Sequence, residues 1–220
     1  MKRFRFAGLV VMAVVLFKGA AFAQIPVEFF AGDKKATVDI MFFRFFKNSS
    51  GENSKFLFFS RNRAAIDYKM SETENLPQFG FTEAISYNHP KLKGFAPVFL
   101  GQVFNSGIYP KAGFQYVHFT NQITIFSWFV TETLQNPLLD YYLLFRFVPK
   151  ISEKTGLFTQ VESLNTLPTS QLDGFSFSQR IRIGLKKQSF QFGVGADLTE
   201  KGRNSLNLTA NSGLFIRYEF

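Results

Sequence analysis

His118, Thr120 and Glu132 are the residues of this 220-residue chain whose order outlines a base, a nucleophile and an orienting carboxylate. Their surroundings argue against that use. Residues alternate apolar and polar on both sides, and the alternation puts His118 in the apolar set and Glu132 in the polar set. The two point apart unless a bulge intervenes. Near the end of its segment, His118 reads as an interfacial side chain. The other histidine, His89, precedes Pro90 in a polar connection and reads as a solvated loop residue. Two distant histidines and no cysteine give too few ligands for a metal, and no thiolate or disulfide chemistry is available. Gly193-Val194-Gly195 lies in an extended segment, where small residues make room for a bulky neighbour rather than cradle a phosphate. No catalytic residue, metal site or cofactor is assigned.

The remaining chemistry lies in charged and amide side chains that recur at every second position. Arg180, Arg182 and Lys186 alternate with Phe175, Phe177, Ile181, Ile183 and Leu185. Asp140, Tyr142 and Arg146 alternate with Leu139, Tyr141, Leu143, Phe145 and Phe147. Gln160 and Glu162 oppose Leu157 and Val161, and Gln191 and Asp197 oppose Phe190, Phe192 and Val194. At the end of the chain, Asn211, Phe215, Arg217 and Glu219 oppose Leu214, Ile216, Tyr218 and Phe220. A helix of period 3.6 would mix these sets, whereas a strand separates them. The segments run roughly 9–14 residues, the length of a tilted strand crossing a bilayer, while strands in soluble proteins average about 5–6.

The amino terminus agrees with residence outside the cytoplasm. Lys2, Arg3 and Arg5 precede an apolar run from Phe6 to Phe17, followed by Ala21-Phe22-Ala23 and Gln24. That is the layout of a cleaved secretory signal, with residues 1–23 removed and 24–220 forming one domain. Cleavage removes four cations from a formal charge of +9 and leaves about +5. That excess is modest, and with export it gives no reason to expect a nucleic-acid partner. No later stretch is long and apolar enough for a spanning helix, so membrane residence has to be as strands. The chain carries 31 phenylalanines; in a barrel these face acyl chains and the polar set faces inward. The closing segment to Phe220 is similar to the last strand of bacterial outer-membrane barrels, a resemblance that implies recognition by the barrel-assembly machinery.

The first half is less cleanly patterned. Ala36–Lys47, Lys55–Arg63, Gln78–Asn88 and Phe95–Asn105 have aromatics at both parities, and Glu83 falls in the apolar-rich set of its segment. Lys111–Thr120, Gln122–Thr133 and a short Ile25–Phe30 bring the count to twelve, or ten if two segments drop out. The expected fold is therefore all-β, a single antiparallel transmembrane β-barrel with short loops. Gly, Asn, Pro and Ser cluster between segments, and no connection exceeds about ten residues. An even strand number puts both termini on the periplasmic side. The reversals at Thr120–Gln122 and Lys186–Gln188 fall on that side, where short turns belong.

The inward set is then Trp128, Asp140, Tyr142, Arg146, Gln160, Glu162, Arg180, Arg182, Gln191, Asp197, Asn211 and Arg217. These side chains either line a path for small solutes or fill the interior with cross-strand ion pairs; twelve strands allow either. For Phe158 and Phe215, filling is the favoured role. Order, size and spacing resemble the Tsx-type nucleoside channels and an uncharacterised exported group related to them. The resemblance rests on Thr37-Val38-Asp39, Phe56-Leu57-Phe58-Phe59, Glu83 and the strand ending at Phe220. It implies passive diffusion of nucleosides or similar solutes past aromatic side chains in the bacterial outer membrane. A second resemblance, of His118, Thr120 and Glu132 to the His-x-Ser and downstream Glu of outer-membrane lipid A deacylases, departs at Thr120 and in strand count. A closed barrel that only braces the membrane is the third reading. The expected partners are outer-membrane lipid, a small solute and the assembly machinery, with the chain a monomer.

Overall fold

The structure, a computed structural model, describes residues 25–69, 77–134, 138–169, 174–203 and 205–220. The expected export segment 1–23 lies outside these residues, as do parts of the connections at 71–78, 135–137 and 165–173.

Twelve strands follow in order: β1 (Pro26–Gly32), β2 (Lys35–Lys47), β3 (Asn53–Asp67), β4 (Gln78–Tyr87), β5 (Phe95–Phe104), β6 (Gly107–Phe119), β7 (Ile123–Glu132), β8 (Leu139–Phe147), β9 (Thr155–Leu167), β10 (Phe175–Lys187), β11 (Phe190–Gly202) and β12 (Asn207–Glu219). Each pairs antiparallel with its sequence neighbours, and β1 pairs with β12 to close the barrel. The closing register runs from Pro26 opposite Glu219 to Gly32 opposite Gly213, and the Phe220 N–H donates to the Ile25 carbonyl at 3.2 Å. Closure satisfies both terminal strands and leaves no free edge.

Alternation sets which side each residue faces. On β10 and β11, Arg180 stands opposite Asp197 and Ile183 opposite Val194; the first pair is buried inside, the second exposed outside. On β12, Asn211, Phe215 and Arg217 are buried while Leu214 and Ile216 are exposed. The outer surface is thus apolar along its strands, the inverse of a soluble protein.

Inversion is only half the account of the interior. Along β4–β8 the inward residues include Ala84, Val98, Leu100, Phe126, Val130 and Leu144, which pack with Met41 and Phe59 into an apolar core. Apolar residues on the inner as well as the outer face blur the alternation, although Thr82, Ser86, Gln102 and Gln115 also point inward there. Most of the charged interior belongs to β9–β12 with β1–β3, and a smaller charged group, Lys111, Glu132 and Asp140, is buried on β6–β8. Glu83 breaks the outer pattern. It projects outward from the middle of β4, beside exposed Phe81 and Ile85, and accepts a hydrogen bond from Ser60 at 3.0 Å.

The turns correct one expectation. Gln188–Ser189 joins β10 to β11 at the end that carries both termini, with Gln188 at a left-handed φ of 54°. Two-residue reversals occur at the opposite end as well, at Asp33–Lys34 and Asn105–Ser106. The first is held by Ser212, whose N–H donates to the Asp33 carboxylate at 2.7 Å. Tight turns therefore do not distinguish the two ends. The shared end of the termini follows from the even strand number alone.

Candidate solute site in the barrel interior

Four arginines and four carboxylates form a belt across the lumen. Arg180 on β10 donates to Asp39 on β2 at 2.5 Å and lies 3.2–3.3 Å from Glu28, Glu162 and Asp197. Arg61 on β3 bridges Asp39 at 2.5 Å and Glu162 on β9 at 2.6 Å. Arg182 bridges Glu28 at 2.9 Å and Asp197 at 2.8 Å, and Arg63 reaches Asp197 at 2.9 Å. β3 and β9 lie opposite each other in the ring, so the Arg61–Glu162 pair spans the barrel. The positive and negative charges in the belt balance. Burying such groups is tolerable because Arg61, Arg180 and Arg182 each meet more than one carboxylate and Arg63 meets one.

The sequence supplies the space for this belt through glycine. A Cβ on Gly195 would sit 2.6 Å from the Cδ of Arg182, so glycine opposite arginine lets that side chain lie along the wall. Arg182, 1% exposed, also stacks on Phe30, with its guanidinium carbon 3.9 Å from the ring centre.

Beside the belt stands an aromatic block. Phe59 stacks on Phe126 at 5.1 Å, and Trp128 meets Phe59 edge-on at 5.2 Å and Tyr142 at 4.9 Å. The Tyr142 hydroxyl donates to Glu162 at 3.3 Å and accepts from Arg61 at 3.4 Å, tying block to belt.

Belt and block divide the interior into two vestibules. One, of about 310 Å³, opens at the end away from the termini between Lys35, Arg61, Arg63, Gln78, Gln102, Trp128, Tyr142 and Lys201. The other, of about 560 Å³, opens beside the termini between Thr124, Arg146, Lys150, Lys154, Lys186 and Glu219. In the second, Lys186 pairs with Glu219 at 2.5 Å; Arg146 on its wall shares the amide oxygen of Gln160, at 2.8 Å, with the deeper Arg217, at 3.1 Å. Between the vestibules, the gap beside Glu28, Asp39, Glu162 and Arg217 holds about 10 Å³, room for at most one water. Twelve strands leave space for an aqueous path, and at this level ion pairs cross it.

Of the twelve residues named as candidate lining, Arg146 is half-buried and the other eleven are buried. The structure brings Glu162, Arg180, Arg182 and Asp197 together in the belt and Trp128 with Tyr142 in the block. Gln160 and Arg217 meet below it. Asp140 lies apart, paired with Lys111, and Asn211 instead caps the β1–β2 turn by accepting from the N–H groups of Lys34 and Lys35. Gln191 donates to Glu219 at 2.6 Å. Phe158 and Phe215 pack together with ring centres 5.6 Å apart, both buried, as filling side chains do.

Sequence reasoning missed Glu28, Asp39, Arg61, Arg63 and Lys111. Their signal was present: Asp39, Met41 and Phe43 share one parity, as do Arg61, Arg63 and Phe59. Phenylalanines on the other parity hid it. His118 is exposed on the outside near the β6–β7 turn, and Glu132 is buried inside at the far end of that strand pair, opposite Lys111. The base, nucleophile and carboxylate are not assembled.

No protein-family model matches the sequence, and no curated protein matches it. Solved structures do. A KdgM porin in complex with disordered oligogalacturonate is similar at a TM-score of 0.50 and 10% identity, over 90% of this chain and 99% of that one. A second KdgM porin structure gives 0.48 at 10% identity with the same coverage. The β-domain of the Bordetella autotransporter BrkA gives 0.37 at 8%, again over 90% and 99%. At these identities the likeness is one of fold, a closed antiparallel barrel.

Proposed function

We propose that the chain is an outer-membrane β-barrel that passes small solutes through a lumen held closed by the arginine–carboxylate belt. The observation that carries this is the placement of two vestibules on either side of a barrier made of charged groups. An aliphatic plug has no partner to turn to when water enters. Guanidinium and carboxylate groups do, because a buried ion pair is close to break-even against hydration. The apolar outer face and the porin-like fold support the location and the conduit role. Export by residues 1–23, closure of the barrel at Phe220 through the assembly machinery, and a monomer in the lipid belong to the same reading. Nucleosides, the solutes implied by the resemblance to Tsx-type channels, offer a ring for Trp128 and Tyr142 to stack on. The surrounding cations have no task with such neutral solutes.

The Arg61–Glu162 span favours a second reading, a closed brace without transport. Planar-bilayer recordings separate the two. A conduit gives brief small openings with wild-type protein and longer, larger ones with Arg61→Ala/Arg180→Ala. Silence from both proteins, each correctly folded, identifies the brace.

A further inference from the structure

The outer wall carries three matched aromatic pairs at the end that holds both termini. Phe56 stands opposite Tyr87 on β3 and β4, Phe95 opposite Tyr116 on β5 and β6, and Phe190 opposite Tyr218 on β11 and β12. Their ring centres lie 5.3, 5.0 and 4.7 Å apart. Each pair joins a phenylalanine to a tyrosine, an apolar body with a polar tip that suits the edge of a bilayer. The three tyrosines are exposed or half-buried, and their hydroxyls make no hydrogen bond among the described residues. An exposed lysine accompanies each pair. Lys55 places its Nζ 6.0 Å from the Tyr87 ring centre. Lys93, at a left-handed φ of 50°, turns the chain past Tyr116, so closely that a Cβ on Gly94 would lie 3.0 Å from that ring. Lys187 is the partner of Phe190 in the β10–β11 register. Lys91 adds a fourth exposed cation in the β4–β5 connection. None of the four makes an ion pair among the described residues, where the paired lysines are Lys111 and Lys186.

The opposite end is built otherwise. Its outer ring pairs are Phe79 with Phe81 and Phe175 with Phe177, without a tyrosine. Its cations are interspersed with Asp33, Asp67 and Glu200. At the end of the termini, Glu52 and the terminal carboxylate of Phe220 are the acidic groups outside the vestibule, against the four lysines. From this arrangement we infer that the rim beside the termini docks anionic phospholipid headgroups. A lysine ammonium and a tyrosine hydroxyl receive the phosphate, and the phenylalanine lies along the glycerol and the upper acyl chain. The lysine stem is long enough to rest on the rings while its ammonium stays in the headgroup layer. Lipid phosphate fits these donors better than a soluble anion does, because they stand against rings on the membrane wall and not in a pocket. The excess of cations favours a headgroup of net negative charge over a zwitterionic one.

This inference rests on the barrel reading above but not on transport, because a barrel that never opens still meets lipid at its rim. Folded mature protein in dodecyl maltoside is mixed with equal amounts of phosphatidylglycerol and phosphatidylcholine of the same acyl chains. Native mass spectrometry counts the lipid of each kind retained. The wild type is expected to prefer phosphatidylglycerol about tenfold, the scale of one to two lysines at an anionic headgroup. That preference should shrink as ionic strength rises. Lys55→Gln/Lys91→Gln/Lys93→Gln/Lys187→Gln, which breaks no ion pair, is expected to retain the two lipids equally. Lys34→Gln/Lys69→Gln, at the opposite end, is expected to keep the wild-type preference. Equal retention by the wild type, indifference to salt, or an unchanged preference in the quadruple variant overturns the docking rim. A soluble hexaglutamate peptide retained in place of phosphatidylglycerol, with the same dependence on the four lysines, also overturns it and makes the face a site for an acidic protein segment. Flotation of the same preparations with phosphatidylcholine liposomes keeps the two claims apart. Protein that inserts but shows no lipid preference loses the rim and keeps the barrel reading, and protein that does not insert loses both.

Discussion

Arg61 and Glu162 meet at 2.6 Å although they stand on β3 and β9, opposite strands of the ring. A contact of this kind cannot be made between two walls of an open pore. It turns a cylinder into a solid rod at one level and fixes how far β1–β3 stand from β9–β11. Asp39 on β2 and Arg180 on β10, four strands apart in the ring, add a shorter chord at 2.5 Å.

Arg61→Ala leaves Asp39 and Glu162 buried with less compensation. Breaking one side of such a set costs about 3–5 kcal/mol. Urea unfolding in detergent micelles is expected to show a loss of that size. Adding Glu162→Gln to Arg61→Ala is expected to recover part of it, because one unpaired charge is removed. A single variant as stable as the wild type would mean that the belt contributes nothing.

Gly195→Ala tests the fit of Arg182. The new methyl would lie 2.6 Å from a side chain pinned at both Glu28 and Asp197. Overpacking of this kind costs about 1–3 kcal/mol. The same change at Gly101, where a Cβ meets nothing within 4 Å, should cost less than about 0.5 kcal/mol, the scale of surface substitutions. Thermal unfolding of both variants, side by side, checks the contrast.

Glu83 is the acidic residue on the outer face in the middle of β4, held by the side chains of Ser60 and Asn62 on β3. A charged group facing acyl chains is unfavourable, less so for Glu than for Arg or Lys. Glu83→Leu is expected to stabilise the barrel in liposomes by about 1 kcal/mol. A clear loss of stability would show that Glu83 has a partner on the outer surface.

His118→Ala should leave both stability and lipid composition unchanged, since the side chain is exposed and far from Glu132. A change in the acyl pattern of outer-membrane lipid on expressing wild type but not the variant would contradict this.

Strand count, strand order and the inward set on β8–β12 were legible because polar and apolar residues separate by parity there. Arg180 and Arg182 among isoleucines leave one choice of wet face. On β2–β5 the same rule gave no answer. Phe58 faces out and Phe59 faces in, and both are apolar because the interior beside β4–β8 is itself a hydrophobic core. Period-two reasoning finds a strand in such a segment but not its inside. It also misjudged the interior by treating wet as equivalent to charged. Who pairs with whom across the lumen was beyond reach. Arg61 and Glu162 are far apart in sequence, and only the closed ring brings them together.

The orientation of side chains about the wall is tested most directly by single cysteines, since the chain has none of its own. Ala65→Cys places a thiol in the 310 Å³ vestibule away from the termini, and Val194→Cys places one on the exposed apolar wall. In liposomes, a charged, water-soluble thiol reagent should modify Ala65→Cys and spare Val194→Cys, which only a lipid-soluble reagent reaches. Rapid modification of Val194→Cys by the charged reagent, with Ala65→Cys protected, would contradict the inside-out arrangement.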